Sequence, residues 1–317
     1  MADFTGMTLT NELVPREVLA PVDQDINQGD FKVRLKTGGT MRLDNSVWKI
    51  GDPDFQSNGL VFAALDLLEL KNRSKIITNG NILILFVNTL KSEDGEIISF
   101  EETGKVAKAG ANGISPGEAG MPGIHGDGGG LVSIHVIEKI EGIVHVNLIG
   151  QNGGKGGDGT SGNRGFIGSR GADSATAIGG FPPLPKCVRD ATPGSKGGTG
   201  YPGGHGGDGG AGGSGGIFEL YNIGDQPVSD ASYTFEALAG EGGVAGIGGS
   251  GGPGGDGGPG GSGSLLCHGA NGGPAGDHGL KGDDGNNGVS SSEGHILVKP
   301  LDIEILLRHI PQGSSTT

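Results

Sequence analysis

The residues able to do chemistry in this 317-residue chain are few and scattered. Three strings, GGKGGDGTS at 153–161, GGHGGDGGA at 203–211 and GGPGGDGGP at 251–259, match the first part of the calcium-binding nonapeptide of β-rolls. The position that motif reserves for a large apolar residue is Thr160, Gly210 and Gly258, and no string recurs in tandem. Asp158, Asp208 and Asp256 therefore read as solvent-facing carboxylates. His135 and His145 fall in one apolar–polar segment and could share a face, but two imidazoles lack the third ligand a metal needs. Arg164 and Arg170, in GNRG and GSRG, are simplest as exposed cations. A phosphate loop would require a Lys-Ser/Thr pair and a following helix. No nucleophile, base and acid fall into a defensible arrangement. The expectation is a non-enzymatic chain without a metal or other cofactor.

The two cysteines, Cys187 and Cys267, form no CxxC. Either they are two unrelated thiols or they clamp two distant loops, and the elements that position them decide which. Those elements are mostly glycine, 71 residues of it. Every third residue is glycine from Gly150 to Gly171, from Gly194 to Gly215, from Gly240 to Gly261 and from Gly273 to Gly288. A shorter, broken run spans 117–129. A flexible linker has no reason to hold a phase over so many triplets. Collagen uses the same period but leans on abundant proline, and here proline is only 16 residues. The alternative is a set of separate polyproline-II-like helices of glycine. Each has three residues per turn and no internal hydrogen bonds, so its backbone groups must pair with neighbours. GGHGGDGGAGGSGG at 203–216 holds a second glycine column, which suits an interior leg.

Two kinds of segment join the runs. LVSIHVIEKIEGIVHVNLI (131–149) and IFELYNIGDQPVSDASYTFEAL (217–238) read as strand, turn, strand, as do 82–100 and 295–307. With FKVRLK, MRLDNSVWKI and LVFAALDLLEL (strand or helix), they make the only hydrophobic head, either stacked hairpins or coils of a β-solenoid. The second kind is irregular: ISP (114–116), 172–193 and SLLCH (264–268). Antiparallel legs would gather the strands at one end and the loops at the other, about 70 Å away at roughly 3.1 Å per residue. Cys187 and Cys267 would then meet at the loop end. The expected class is all-β and non-regular, with a β-hairpin or β-solenoid head and a bundle of antiparallel polyglycine-II helices that lacks an ordinary core. The parts are a head at 1–103, legs at 104–288 with inserted hairpins 131–149 and 217–238, and a C-terminal hairpin and disordered tail at 289–317.

At the loop end, Phe181, Pro182, Leu184 and Arg189 with Leu265, Leu266 and His268 form the candidate contact surface. The apolar ones either meet a partner or pack together as a cap. A net charge of −14 disfavours nucleic acid and anionic membranes, and no apolar run is long enough to insert in a membrane. The N-terminal sequence lacks signal-peptide character.

Alternating glycine legs with irregular loops at one tip, over about 104–288, resemble the glycine-rich adhesins at the ends of T-even-type phage tail fibres. That resemblance implies a sandwich of polyglycine-II helices displaying receptor-reading loops. It also implies an extracellular or virion-associated location, with a protein or glycan on a cell surface as partner. The alternatives are a self-assembling coat, filament or fibre subunit joined through the β head, and a cytoplasmic location. Ranked below these are a polyglycine-II antifreeze-like protein, whose outer face would need small, Thr-like residues, and a metal-binding or enzymatic head.

Overall fold

The computed structural model describes residues 8–10, 20–28, 31–37, 39–50, 59–180, 182–222 and 229–300. Among them there is no α-helix. The strands are β1 (Thr8–Thr10), β2 (Ala20–Gln28), β3 (Phe31–Thr37), β4 (Thr40–Asp44), β5 (Val47–Lys49), β6 (Gly59–Lys71), β7 (Lys75–Ile77), β8 (Ile82–Ile98), β9 (Leu131–Asn147), β10 (Ala175–Gly179), β11 (Leu184–Arg189), β12 (Ile217–Asn222), β13 (Tyr233–Glu236) and β14 (His295–Pro300). Only β2–β3 and β10–β11 pair antiparallel among the described residues; the other pairings are parallel.

The chain winds in passes of three short runs, stacked in register. Leu60, Ile82, Leu131 and Ile217 align on the first run, and Ile77, Ile98, Asn147 and Glu236 on the third. Along the runs of β4, β6, β8 and β12 alternate residues point inward. Val61, Leu68 and Ile76 of one pass lie beside Leu83, Leu90 and Ile97 of the next, all at most 1% exposed. Three runs per pass thus enclose one core, and each fully buried Leu or Ile contributes roughly 1.5–3 kcal/mol.

Parallel stacking corrects the hairpin reading of 82–100, 131–149 and 217–238. β8 and β9 are each one 17-residue strand, paired with each other along their length. The turn signals KSEDG and KIEG bend the strand at a corner instead of reversing it. Asp94 (φ 56°) and Gly142 (φ 84°) take left-handed backbone there, and the register shifts between Ser92 and Gly95. Asn and Asp tolerate that conformation better than most residues, and Asn45 and Asn72 serve other corners. LVFAALDLLEL lies in β6, with Val61, Ala63 and Leu65 buried and their neighbours half-exposed. Of the expected C-terminal hairpin, the described part is β14, parallel to β12. Residues 301–317 lie outside the described residues.

The glycine runs are excursions from one corner, between the third run of a pass and the first run of the next. Six extended legs result among the described residues: leg 1 (105–113), leg 2 (117–130), leg 3 (150–171), leg 4 (192–216), leg 5 (238–262) and leg 6 (270–294). Successive legs run antiparallel, as in Gly207 N–H to Gly157 O and Gly246 N–H to Gly207 O, both 2.8 Å. Alternate legs run parallel, as in Gly153 N–H to Glu241 O (2.8 Å) and Gly206 N–H to Asp283 O (2.8 Å). Legs 1, 3 and 5 therefore form one layer and legs 2, 4 and 6 the other.

Candidate functional site

The glycine columns fall where a neighbouring backbone passes. A Cβ on Gly204, Gly207, Gly210 or Gly213 would collide with a carbonyl of leg 2, at Glu118, Met121, Ile124 and Asp127. This second column of GGHGGDGGAGGSGG is set by leg 2. Leg 2 starts at the 114–116 turn, which lies only part-way along leg 3, where Gly117 N–H reaches Ser161 O at 2.9 Å. Beyond that level, legs 3 and 4 carry side chains in the same columns: Asn163 and Phe166 on one, Tyr201 and Ser195 on the other. The ISP turn thus does not join the distal loops, contrary to the expected gathering of all three.

The outer residues have a second duty that the sequence did not signal. Their own N–H groups lie outside the glycine columns, and side chains on adjacent legs accept several of them. Asn152 Oδ1 accepts from Glu241 N–H (2.8 Å), Asp158 Oδ1 from Ile247 N–H (2.9 Å) and Asp208 Oδ1 from Asn286 N–H (2.6 Å). His125 Nδ1 and His205 Nδ1 accept from Ala211 and Asp283 N–H, at 2.8 and 3.1 Å. Asp256 pairs with Arg164. The aspartates of the calcium-like strings are therefore exposed but engaged. Accepting the Ile247 N–H, with Lys155 beside it, holds the Asp158 carboxyl below the usual range.

His135 and His145 lie on different runs of β9. His135 is stacked between Phe86 and Tyr221, with centroids at 4.2 and 4.7 Å. Burial lowers its pKa, against the opposing charge of Glu219. His145 Nδ1 instead meets Thr234 Oγ1 at 2.9 Å. They do not form one site. A separate cavity of about 620 Å³ sits where the third runs meet leg 1, lined by Glu96, Glu101, Glu102 and Lys105 among others. Its cations are paired, Lys75 with Glu96 (2.7 Å) and Lys105 with Glu102 (2.5 Å), and its Glu101 pairs with Lys49 outside the lining (2.9 Å).

The far end of legs 3 to 6 brings the predicted loops together. β10 and β11 form a two-stranded ribbon, and β11 is exposed throughout. Cys187 of β11 is disulfide-bonded to Cys267, 80 residues away, with the Cα atoms 5.2 Å apart. Asp190 lies beside the bridge and accepts the His268 N–H at 2.9 Å. Asp190 and the two sulfurs are close enough to suggest a metal site, but the bridge uses both sulfurs. Leu184 and Leu265 are 63% and 101% exposed, so they do not close over the legs as a cap. Pro182, Arg189, Leu266 and His268 are exposed as well, and Arg189 donates to Asp173 O at 3.3 Å. Phe181 lies outside the described residues. Ile178 and Val188, 74% and 60% exposed, belong to the same surface. Their ordinary place in a strand pattern hid them.

No family model matches the chain, and no curated protein matches it. Among solved structures, it was compared with the nine polyproline type II helical bundle springtail antifreeze protein from Granisotoma rainieri. The two are 24% identical over 61% of this chain and 96% of that one, with a TM-score of 0.11. A score that low bears no weight for the fold. Among the described residues, no helix is long and apolar enough to cross a membrane.

Proposed function

We propose that the chain is a non-enzymatic recognition protein of the fibre-tip or surface-adhesin kind. In this reading the stacked passes are a β-solenoid head, and the six legs are polyglycine-II helices that act as a stiff stalk. The repeated backbone bonds at every third residue support that reading of the legs. Leg 3, at about 3.1 Å per residue, would hold the distal loops roughly 70 Å from the head. The observation that carries the function is the disulfide-bridged ribbon at that end. Ile178, Leu184, Val188 and Leu265 are exposed there by 60% or more, on loops that no packed core requires. Apolar residues presented on a rigid support suit contact with a cell-surface protein or glycan, outside the cell or on a virion.

The test is binding of fluorescently labelled protein to a panel of intact bacterial and eukaryotic cells. At least one cell type should be stained by the wild-type chain and lose the stain with Leu184→Ser/Val188→Ser, while the melting temperature stays unchanged. Undiminished staining by that variant, or no staining anywhere, would overturn the proposal.

A second reading, assembly of copies through the head, is favoured by the outward side of the first runs. Ile82, Ile84, Phe86, Leu131 and Ile217 alternate there with the core residues and are only partly buried. Sedimentation of Ile84→Lys/Phe86→Lys would show a smaller particle than wild type if that face joins copies.

A further inference from the structure

Where legs 1 and 2 stop, legs 3 and 4 expose a flank of different chemistry from the tip. Phe166 and Tyr201 face each other across it, 75% and 45% exposed, edge to face with centroids 6.1 Å apart. Gly198 lies beside Phe166, its nearest neighbour for an added Cβ being Phe166 N at 3.0 Å, and leaves a notch between the two rings. Among the described residues, the side chains of Asn163, Thr199 and Tyr201 make no hydrogen bond. The carbonyls of Arg164, Ile167, Lys196 and Thr199 likewise accept no backbone N–H among the described residues. Nearer the head, the equivalent carbonyls of Lys155, Asp158, His205 and Asp208 are filled by glycine N–H groups of legs 1 and 2.

A row of open acceptors beside an aromatic pair calls for a ligand with many donors and an apolar face. A glycine leg from a second copy does not qualify: the columns of legs 3, 4 and 6 already donate within the bundle, and the Gly251, Gly254 and Gly257 column of leg 5, which makes no backbone bond among the described residues, has no apolar face to set against Phe166 and Tyr201. Charge selects further. Arg164 pairs with Asp256, Lys196 with Asp277 at 2.6 Å and Arg170 with Asp173 at 2.8 Å, so the flank is neutral on a chain of net charge −14.

We propose that this flank binds a neutral saccharide, with one sugar face against Phe166 and Tyr201. Its hydroxyls donate to the carbonyl row and bond to Asn163 and Thr199. Aromatic side chains combine a large apolar face with, in tyrosine, a polar handle. The proposal extends the recognition reading but sits apart from the tip, so the two can fail separately.

Calorimetric titration with maltohexaose, chitohexaose and mannohexaose, with sialyllactose as anionic control, tests it. At least one neutral probe should bind with a Kd of about 10 μM to 1 mM. Phe166→Ala and Tyr201→Ala should each weaken binding tenfold or more, and Leu184→Ser/Val188→Ser should leave it unchanged. If Phe166→Ala lowers the melting temperature, Phe166→Leu keeps the volume without the π face and serves instead. The proposal is overturned if no neutral probe binds, if binding survives Phe166→Ala/Tyr201→Ala, or if sialyllactose binds as tightly. Loss only in the tip variant would also overturn it and place the saccharide on the distal loops.

Discussion

Replacing Gly207 with alanine puts one methyl group where leg 2 crosses leg 4. The added Cβ collides with Met121 O and lies 3.0 Å from Gly120 O. Relieving the overlap requires leg 2 to move by about 1 Å, because interiors packed this closely have no slack. That movement stretches Gly120 N–H to His205 O (2.9 Å), Gly123 N–H to Asp208 O (2.8 Å) and Gly157 N–H to Met121 O (2.8 Å). At about 1 kcal/mol net per bond the loss is about 3 kcal/mol. Alanine also restricts the unfolded chain and returns about 0.4–1 kcal/mol. The net is about 2–3 kcal/mol, a fall in Tm of roughly 3–5 °C for a chain of 317 residues. Gly198→Ala is the matched control, in the same leg and the same column but beyond leg 2, and it should cost no more than about 1 kcal/mol. Thermal melts of both variants by circular dichroism decide the matter. Equal shifts in the two, or no shift in Gly207→Ala, would refute the claim that leg 2 dictates the glycine column.

Other outcomes follow from the same bonds and charges. Asn152→Ala leaves Glu241 N–H without its side-chain acceptor and should destabilise the chain by about 1 kcal/mol, read by chemical denaturation. Reducing Cys187–Cys267 should abolish hydrogen-exchange protection in the 175–189 ribbon while legs 3 to 6 keep theirs, because the legs bond to one another independently of the bridge. Hydrogen bonds from Lys139 and Lys91 lower the Glu141 carboxyl to about 2. Asp158, Asp284 and Glu118 are also lowered, led respectively by hydrogen bonds from Ile247 N–H, Lys281 and Ser115 N–H. Groups with depressed folded pKa stabilise the fold above their unfolded values, near 4, and lose that contribution as pH falls toward 2. The melting temperature should therefore hold above pH 5 and decline between about pH 4 and 2.

The period-three glycines made the legs legible, because a column without Cβ atoms is needed wherever two backbones bond. The antiparallel order of consecutive legs and the meeting of Cys187 with Cys267 followed from that single pattern. The head was misread because a corner and a hairpin use the same residues. KSEDG and KIEG contain the Asp, Gly and charges of a tight turn, and local sequence does not encode whether the chain turns back or sideways. What distinguishes them is the inward alternation resuming after each corner, in Leu90 and Ile97 of β8, which pays off only in a stacked pass. The Phe166–Tyr201 flank was illegible because it depends on the length of leg 1, not on the residues at 163–201. The side-chain caps, such as Asn152 on Glu241, bridge positions too far apart in sequence for spacing to reveal.

Amide hydrogen exchange across 203–216, resolved residue by residue by NMR, tests the polyglycine-II account most directly. Both glycines of each triplet, from Gly203 with Gly204 to Gly215 with Gly216, should be protected. Ala211 should join them through His125, and His205, Asp208 and Ser214 should exchange freely. Uniformly fast exchange, or protection without this three-residue pattern, would contradict it.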